Sequence, residues 1–382
     1  MMRLALDARS TQGDRRGVGV YTTNLLLALA RRPDLPAITL FLDSAQPDPA
    51  DVPLSAFAIR RLGGRGGSVV WEQWRLPHAL RGFDLFHGPA NVSPLVTPCP
   101  TVLTIHDTIF VRRLRDISAV TYPRQIFGHQ YRRWAYPVFA RRARAILTVS
   151  EASRKDIVDV LGIPPERVTV AHEAVSEAFA QARPAPLAEL RARFDLPATY
   201  LLAPGAYEKR KNVPLLFAAL RRLGESGAPV PALALAGASH LFASRYPEEA
   251  RRQGIERVVR FLPYVTDGEM KGLQQGALAY CWPSRKEGFG LPILEAMSCG
   301  TPVLASDIPV NREIGGEAAL YAGVDDPGGW AAALHRLLTD DALRSRLRSA
   351  GPAHAAGFSW DRLADRTLAV YRAVLGEGGK GG

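Results

Sequence analysis

The chain has 382 residues, of which 47% are apolar and 22% charged, so it is long enough for two domains of ordinary size. Its net charge is +11, and only six of the 48 basic residues are lysine. No window approaches the roughly 18 consecutive apolar residues of a membrane-spanning helix, and the first residues lack the pattern of a signal peptide. We therefore expect a cytoplasmic protein that at most lies on the inner face of a membrane.

The charge and the cysteines restrict the partners only loosely. A basic surface favours anionic partners such as sugar nucleotides, phospholipids or nucleic acid, and charge alone does not choose among them. The three cysteines are Cys99, Cys281 and Cys299, and their wide spacing excludes a zinc site or a redox pair. We expect reduced thiols and no bound metal.

Short apolar runs rich in Val, Ile and Leu alternate with longer amphipathic segments in the first half. Continuous apolar strands with helices between them predict a parallel sheet that is covered on both faces. The predicted strands are Arg3–Asp7, Ile38–Leu42, Phe83–Phe86, Val102–Ile105, Ile146–Val149 and Val168–Val170.

A Pro-rich stretch at 182–187 interrupts this alternation, and we interpret residues 181–198 as a linker. A second alternating series follows, which predicts a second doubly wound α/β domain over 199–358. Its predicted strands are Tyr200–Ala203, Leu233–Ala236, Val258–Leu262, Leu278–Trp282 and Val303–Ala305, with helices over Pro214–Leu223, Asp267–Gln275 and Leu291–Met297. A last helix is expected over 360–375, and the Gly-rich tail 376–382 is expected to be disordered.

The stretch from Pro283 to Glu295 has the strongest functional pattern. A Gly-rich loop follows a strand that ends at Trp282, and Pro292 stands where helices begin. Exposed amides at such a loop bind anions, which suits a diphosphate. Glu287 and Glu295 flank the loop, so that one carboxylate can reach a sugar and the other a ribose. The alternative is a capped loop with two solvated glutamates.

A basic turn with Arg210 and Lys211 directly follows the first strand of the second half. A guanidinium fork and an ammonium at this place neutralise a diphosphate leaving group. The alternative is a solvated basic turn before a helix capped by Asn212.

Two further motifs follow strands of the first half. Gly17 and Gly19 open a helix as in a dinucleotide fingerprint, but Thr22 occupies the third glycine position, which argues against NAD. His106 and Asp107 end the strand Val102–Ile105: the histidine is suited to donate to a sugar hydroxyl, and the aspartate to orient it or act as a base. A buried structural histidine is the alternative.

The segment 131–144 is basic and aromatic along a predicted helix. It is interpreted either as a half-buried helix with solvated arginines, which we favour, or as a surface that lies on anionic lipid.

Taken in order, these motifs resemble those of the retaining glycosyltransferases of family 4, also called group 1. The resemblance extends nearly from end to end and includes Leu147–Ser153, Arg210–Asn212 and Phe358–Trp360. Its most specific part is the pair Glu287 and Glu295, with seven residues between them that begin Gly-Phe-Gly-Leu-Pro.

The resemblance implies a GT-B architecture: two Rossmann-like doubly wound domains that face a central cleft. The acceptor domain would be 1–180, the donor domain 199–358, and the last helix would cross back to the first domain. No metal or other cofactor is implied, because Arg210 and Lys211 would neutralise the leaving diphosphate. Glu287 would contact the sugar, Glu295 the ribose and His106 a sugar hydroxyl. The amides of Gly288, Phe289, Gly290 and Leu291 would lie near the donor, together with Gly17, Gly19 and Asp107.

Trp71–Trp74, Leu76-Pro77 and Glu208 resemble a branch rich in mannosyltransferases, so GDP-mannose is the first expected donor and UDP-sugars come next. The expected acceptor is a glycan or glycolipid. Two departures stand out: residues 172–176 replace the usual Asn-Gly-Val-Asp, and Ala206 replaces a common arginine. Another sugar-nucleotide reaction, such as epimerisation, is the alternative activity. A nucleic-acid partner is not expected, because the arginines are dispersed and no binding motif is present.

Overall fold

The computed structural model describes residues 2–13, 17–63, 67–111, 123–206, 208–237 and 245–376. These divide into two compact units. The described residues from Glu177 to Phe358 belong to the second unit, and the first unit combines the described residues up to Ser176 with those from Ser359 onward. The tail 377–382, which the sequence predicts to be disordered, lies outside the described residues.

The first unit is built on a seven-stranded sheet in the order β3-β2-β1-β4-β5-β6-β7, with every neighbouring pair parallel. Strands β4, β5 and most of β1 are buried, which fits their largely apolar sequences. The strands are β1 Arg3–Asp7, β2 Ala37–Asp43, β3 Ala58–Leu62, β4 Leu85–Gly88, β5 Thr101–Ile105, β6 Ala145–Thr148 and β7 Val168–Val170. The helices are α1 Gly17–Ala30, α2 Gly67–Val70, a π-helical turn Trp71–Arg75, α3 Leu76–Ala79, α4 Pro123–Arg142, α5 Glu151–Leu161 and, from the chain end, α15 Trp360–Leu375.

The second unit repeats this plan with a six-stranded parallel sheet in the order β10-β9-β8-β11-β12-β13. Its core is formed by the sheet and the apolar faces of the helices packed on it. The strands are β8 Tyr200–Pro204, β9 Ala232–Ala236, β10 Val259–Phe261, β11 Ala279–Trp282, β12 Val303–Ser306 and β13 Ala319–Ala322. The helices are α6 Glu177–Gln181, α7 Leu187–Phe194, α8 Val213–Glu225, α9 Arg245–Arg252, α10 Asp267–Gly276, α11 Leu291–Ser298, α12 Pro309–Gly315, α13 Pro327–Thr339 and α14 Asp341–Ala355.

Two doubly wound parallel sheets are thus confirmed, and so are the eleven predicted strands, within a few residues at their ends. Two strands were not predicted, β3 and β13. Both lie at a sheet edge, where part of each strand faces water. In β3, which is mostly exposed and contains two arginines, the continuous apolar run used for prediction is missing, whereas β13 is apolar but only four residues long.

The segment predicted as a linker, 181–198, contains helix α7 and packs on the second unit. Leu190 of α7 is buried, and the Pro-rich stretch before α7 lies against two glycines of α10. A Cβ at Gly268 or Gly272 would lie 2.6 or 2.4 Å from the carbonyl oxygens of Arg183 and Ala185. Glycine therefore lets the two backbones approach, a contact that the composition of the segment does not indicate.

Helix α15 packs on the sheet of the first unit. Trp360 donates its indole N–H to the carbonyl of Val175 at 2.9 Å, and the Tyr371 hydroxyl lies 2.5 Å from Nδ1 of His87. His87 is fully buried, and its other ring nitrogen lies 2.8 Å from Thr104 Oγ1. Burial lowers the pKa of His87 to about 3, helped by nearby His106, so this histidine is a neutral member of the core.

Helix α4 is half-buried, as favoured from its sequence. Tyr136 and Phe139 are about 1% exposed and point into the core of the first unit, whereas Trp134 is 63% exposed. The basic and aromatic composition of this helix therefore combines a packed face with a solvated face.

Candidate active site

The topology of the second sheet brings together the two loops with the strongest sequence patterns. Strands β8 and β11 are neighbours although 74 residues separate their ends, and the strand order reverses between them. Loops at such a reversal border the usual ligand crevice of a doubly wound sheet. The amide of Arg285 donates to the carbonyl of Arg210 at 2.7 Å, which joins the two loops directly.

The carboxylate of Glu287 lies between the two predicted cations. Its Oε2 accepts a hydrogen bond from Nη1 of Arg210 at 2.6 Å, and its Oε1 accepts one from Nζ of Lys211 at 2.8 Å. The Glu287 side chain is only 10% exposed and that of Lys211 11%. Both oxygens are therefore held by charge-assisted hydrogen bonds in a largely desolvated place, where such bonds are strong.

Two more side chains complete this cluster. Nζ of Lys211 lies 4.1 Å from the ring centre of Trp282, a cation–π contact that keeps the ammonium at the end of β11. Nε of Arg210 donates to Glu208 Oε2 at 2.6 Å. Asn212 adopts φ +54° and donates to the carbonyl of Val324 at 2.9 Å, so this turn is tied to a third loop before α8 begins.

The pKa shifts show how the buried groups of this cluster act on one another. Burial raises the pKa of Glu287, but the charges of Lys211 and Arg210 outweigh it, so the net shift is downward and the carboxylate is ionised. The pKa of Lys211 is lowered, first by burial and also by Arg210, and Glu287 only partly opposes this. One buried carboxylate thus faces two cations, an arrangement that an incoming anion stabilises.

The loop after Glu287 leads into α11 as its glycines predict. Gly290 has φ +106° and is the residue before α11, and Pro292 stands in the first turn. A positive φ of this kind is open to glycine and costly for other residues. Phe289 is buried and packs edge-on against Phe358, with ring centres 6.0 Å apart. The amides of Gly288 to Leu291 therefore belong to a fixed turn at the start of a helix.

Glu295 lies in the second turn of α11 and is partly buried. Burial raises the pKa of the Tyr280 hydroxyl well above its usual range, and the negative charges of Glu295 and Glu287 add to the rise. Both glutamates of the pair are therefore close enough to act on the same buried phenol.

In the first unit, His106 immediately follows β5 and is 8% exposed. Its Nε2 lies 2.9 Å from the carbonyl oxygen of Pro89, and its Nδ1 lies 3.4 Å from Oε1 of Glu173. Both ring nitrogens thus have protein acceptors. A hydrogen bond from His106 to a sugar hydroxyl, as expected from the sequence, would require one of these acceptors to be exchanged.

Asp107 turns its carboxylate to its own backbone, since Oδ1 accepts from the amide of Ile109 at 2.8 Å. Gly17 is the first residue of α1, as predicted, and Gly19 is buried in the first turn. Nothing lies within 4 Å of a Cβ built at Gly17, so no protein atom requires glycine at that position.

Sequence reasoning did not identify Glu173 as a functional residue. It lies in the stretch 172–176, where the sequence departs from the family pattern, and this departure is the signal that was available. Its carboxylate is buried at 4% exposure, which is rare for a glutamate without a partner. Trp282 was likewise noted only as a strand end, although its ring holds Lys211.

Within the described part of the chain, every helix is too short or too polar to span a lipid bilayer. In the same residues, no three His, Cys, Asp or Glu side chains come together as a metal-binding group.

Comparison with known proteins places both units in one family. Residues 15–179 match Glycosyltransferase Family 4, and residues 191–354 match Glycosyl transferases group 1. Over 318 residues the chain is 33% identical to O-antigen chain mannosyltransferase B of Escherichia coli, which covers 80% of each protein. It is also 33% identical over 302 residues to D-inositol 3-phosphate glycosyltransferase 1 of Catenulispora acidiphila, covering 74% of this chain and 68% of the relative.

Among solved structures, HepE of Anabaena in complex with UDP and glucose superposes with a TM-score of 0.72 at 18% identity, covering 98% of this chain and all of HepE. This likeness shows the fold, which is that of the GT-B glycosyltransferases. From the matching family regions, the mannosyltransferase relative and the shared fold, we conclude that the chain belongs to the group 1 glycosyltransferases of family 4 and is a glycosyltransferase.

Proposed function

We propose that this enzyme transfers a hexose from a nucleoside-diphosphate sugar to a glycan or glycolipid and retains the anomeric configuration. The observation that supports the proposal is the buried cluster in which Arg210 and Lys211 share the single carboxylate of Glu287. A departing nucleoside diphosphate develops negative charge, and fixed cations in a desolvated site stabilise it without reorganisation.

In this proposal the donor diphosphate takes up the excess positive charge of Arg210 and Lys211. The amides of the turn from Gly288 to Leu291 bind phosphate oxygens, because a helix start presents unpaired N–H groups. Glu287 contacts the transferred sugar, and Glu295 accepts hydrogen bonds from ribose hydroxyls. The acceptor attacks from the face that the leaving group vacates, and a phosphate oxygen of the leaving group takes the acceptor proton. The protein's part is to position the donor and to stabilise charge.

We further propose that no metal ion takes part in this step. Two cations lie beside the loop proposed to bind the diphosphate, and each donates a hydrogen bond to one oxygen of Glu287, which lies between them. This chain thus has the positive charge that Mg²⁺ supplies to diphosphates in metal-dependent transferases.

GDP-mannose is the proposed donor, and mannose is the proposed transferred sugar. It is supported by the 33% identity to O-antigen chain mannosyltransferase B, which covers four fifths of each protein. UDP-sugars are the second candidate, because HepE, which shares the fold, was solved with UDP and glucose.

A panel of nucleotide sugars tests the donor. Purified enzyme is incubated with GDP-mannose, UDP-glucose and related donors, and thermal unfolding and donor hydrolysis are measured. We expect the GDP-sugar to raise the melting temperature most, because a ligand that binds only the folded state stabilises it. The Glu295→Gln variant should lose most of that rise. Stabilisation by UDP-sugars alone would identify uracil, not guanine, as the base of the donor. Conversion of the sugar without transfer or hydrolysis would favour an epimerase.

We also propose that the first unit rests on the surface of an anionic membrane. Gln73 bonds the π-helical turn to the loop at Leu95 and to Tyr131 of α4. Trp74 and Val96 directly follow Gln73 and Leu95, and Trp134 lies about one helical turn after Tyr131. The side chains of Trp74, Val96 and Trp134 are 67%, 72% and 63% exposed. Indole rings beside arginines are suited to the boundary between lipid and water.

Co-sedimentation with phosphatidylcholine vesicles, with and without phosphatidylglycerol, tests this surface. The double variant Trp74→Ser, Trp134→Ser should sediment several-fold less with anionic vesicles than the unmodified enzyme. Tyr264→Ser is the matched control, since Tyr264 is an 80% exposed aromatic residue of the second unit. Equal sedimentation of all three proteins would contradict the proposal.

A further inference from the structure

The ring of His106 lies between two acceptors of hydrogen bonds. One is the carbonyl oxygen of Pro89, 2.9 Å from Nε2, and the other is the carboxylate of Glu173, 3.4 Å from Nδ1. A neutral imidazole has only one N–H, so in either tautomer a lone pair would face an oxygen. Only the doubly protonated ring satisfies both neighbours. We propose that Glu173 is a positioning residue that holds His106 as a fixed imidazolium at the carboxyl end of β5.

The surrounding contacts leave the ring little freedom. The amide of His106 donates to Oδ1 of Asn91 at 2.7 Å, and its carbonyl accepts from the Ser153 hydroxyl at 3.0 Å. Tyr21 of α1 packs edge-on against the ring, with centres 4.6 Å apart at 90°. The backbone and ring of His106 are thus held by contacts from Tyr21, Asn91 and Ser153. Among the contacts described, Glu173 supplies the carboxylate that lies beside the ring.

The titratable groups around His106 support a charged state. Burial lowers the pKa of His106, but the hydrogen bond and charge of Glu173 outweigh it, with smaller contributions from the Pro89 carbonyl and Asp107, so the net shift is upward. Of the other described groups that face it, His87 is neutral because burial lowers its pKa to about 3. Burial also raises the pKa of Tyr21, so that phenol is uncharged.

This inference rests on the proposed function for its consequence. In the proposed function, a protonated His106 favours a negatively charged ligand at this strand end, and Glu173 extends that charge to higher pH. The charge is present below 6.5, the ordinary pKa of histidine, and is lost as the pH rises through the raised value. Without the carboxylate, the charge would be lost at lower pH.

Nitrogen NMR of histidine-labelled enzyme without substrate tests the charge state directly. The His106 signal, assigned by its absence in His106→Gln, should report an imidazolium at pH 6.5 in the unmodified enzyme. In Glu173→Gln the midpoint of its titration should fall by about one unit or more, a tenfold loss of proton affinity, and Glu173→Asp should recover part of it. Glu166→Gln, which removes an exposed charge from the same unit, should change nothing.

A neutral His106 at pH 6.5 in the unmodified enzyme would overturn the inference even if the variants failed to fold. So would an unchanged midpoint in a folded Glu173→Gln. The pH profile of transfer gives the second readout: the alkaline limb of kcat/KM should move to lower pH in Glu173→Gln, while a purely structural role would lower activity equally at all pH values. If no sugar nucleotide binds, the proposed function fails, but the NMR titration still decides the role of Glu173.

Discussion

The candidate site residues of each unit include a largely buried glutamate in contact with basic side chains, but the number of basic partners differs. In the second unit, Glu287 is shared by Arg210 and Lys211, with oxygen–nitrogen distances of 2.6 and 2.8 Å. In the first unit, Glu173 faces the single ring of His106 at 3.4 Å. Among the buried groups, the first arrangement has two cations for one carboxylate, with the more exposed Glu208 as a further partner of Arg210, whereas the second is a single pair.

This difference indicates where an anion can bind. Arginine is charged in almost any surroundings, and the carboxylate of Glu287 opposes the loss of charge that burial favours at Lys211, so the cluster of the second unit has cations that can attract a diphosphate. Histidine is charged at neutral pH only if a partner raises its pKa, so the pair in the first unit depends on Glu173. In the proposed function, the cluster of the second unit takes up the negative charge of a diphosphate, whereas in the first unit Glu173 keeps His106 protonated.

Removing Lys211 should have the largest effect on this comparison. In Lys211→Ala the excess charge disappears and Glu287 keeps only Arg210, so we expect turnover to fall by about 10² to 10³-fold or more. Steady-state kinetics with the preferred donor measures this, and circular dichroism checks folding. Lys209→Ala, in the same short turn but exposed, is the control. Near-normal turnover in Lys211→Ala would remove the role assigned to this residue.

Neutralising Glu287 separates binding from transfer. Glu287→Gln keeps the shape but removes the charge between the two cations, so the site becomes more positive. We expect transfer to fall by about 10²-fold while GDP or UDP binds at least as tightly, as measured by titration calorimetry. Glu208→Gln, an exposed partner of Arg210, should have a much smaller effect. If Glu287→Gln transferred sugar normally, the assigned contact to the sugar would be wrong.

The smallest expected effect is that of EDTA. If Arg210 and Lys211 neutralise the diphosphate, chelation should leave the rate within about twofold of its starting value, because side chains replace the Lewis acid. Initial rates with and without EDTA, followed by Mg²⁺ or Mn²⁺ addition, measure this. Complete inhibition that a metal reverses would contradict the metal-free proposal.

Much of the site was predictable because its residues belong to short local patterns. The loop before α11 follows the apolar strand β11 and contains Gly290 and Pro292. Glycine and proline restrict or free the backbone within a few residues, so the local sequence predicts this turn. Glu173 was not predictable, because nothing in its local sequence reveals that it meets His106, 67 residues earlier. Helix α7 was not predicted for a similar reason. Its packing depends on the glycines of α10, about 80 residues further along the chain.

The sequence alone determined the two series of buried parallel strands and the loops that follow them, because apolar periodicity, glycine and proline act locally. Tertiary structure decided which loops meet. Arg210 reaches Glu287 across 77 residues because β8 and β11 are neighbours, and His87 meets Tyr371 across 284 because α15 packs on the first sheet. The charge state of each buried group depends on these tertiary contacts, because its pKa is set by burial and by the charged and hydrogen-bonding groups beside it.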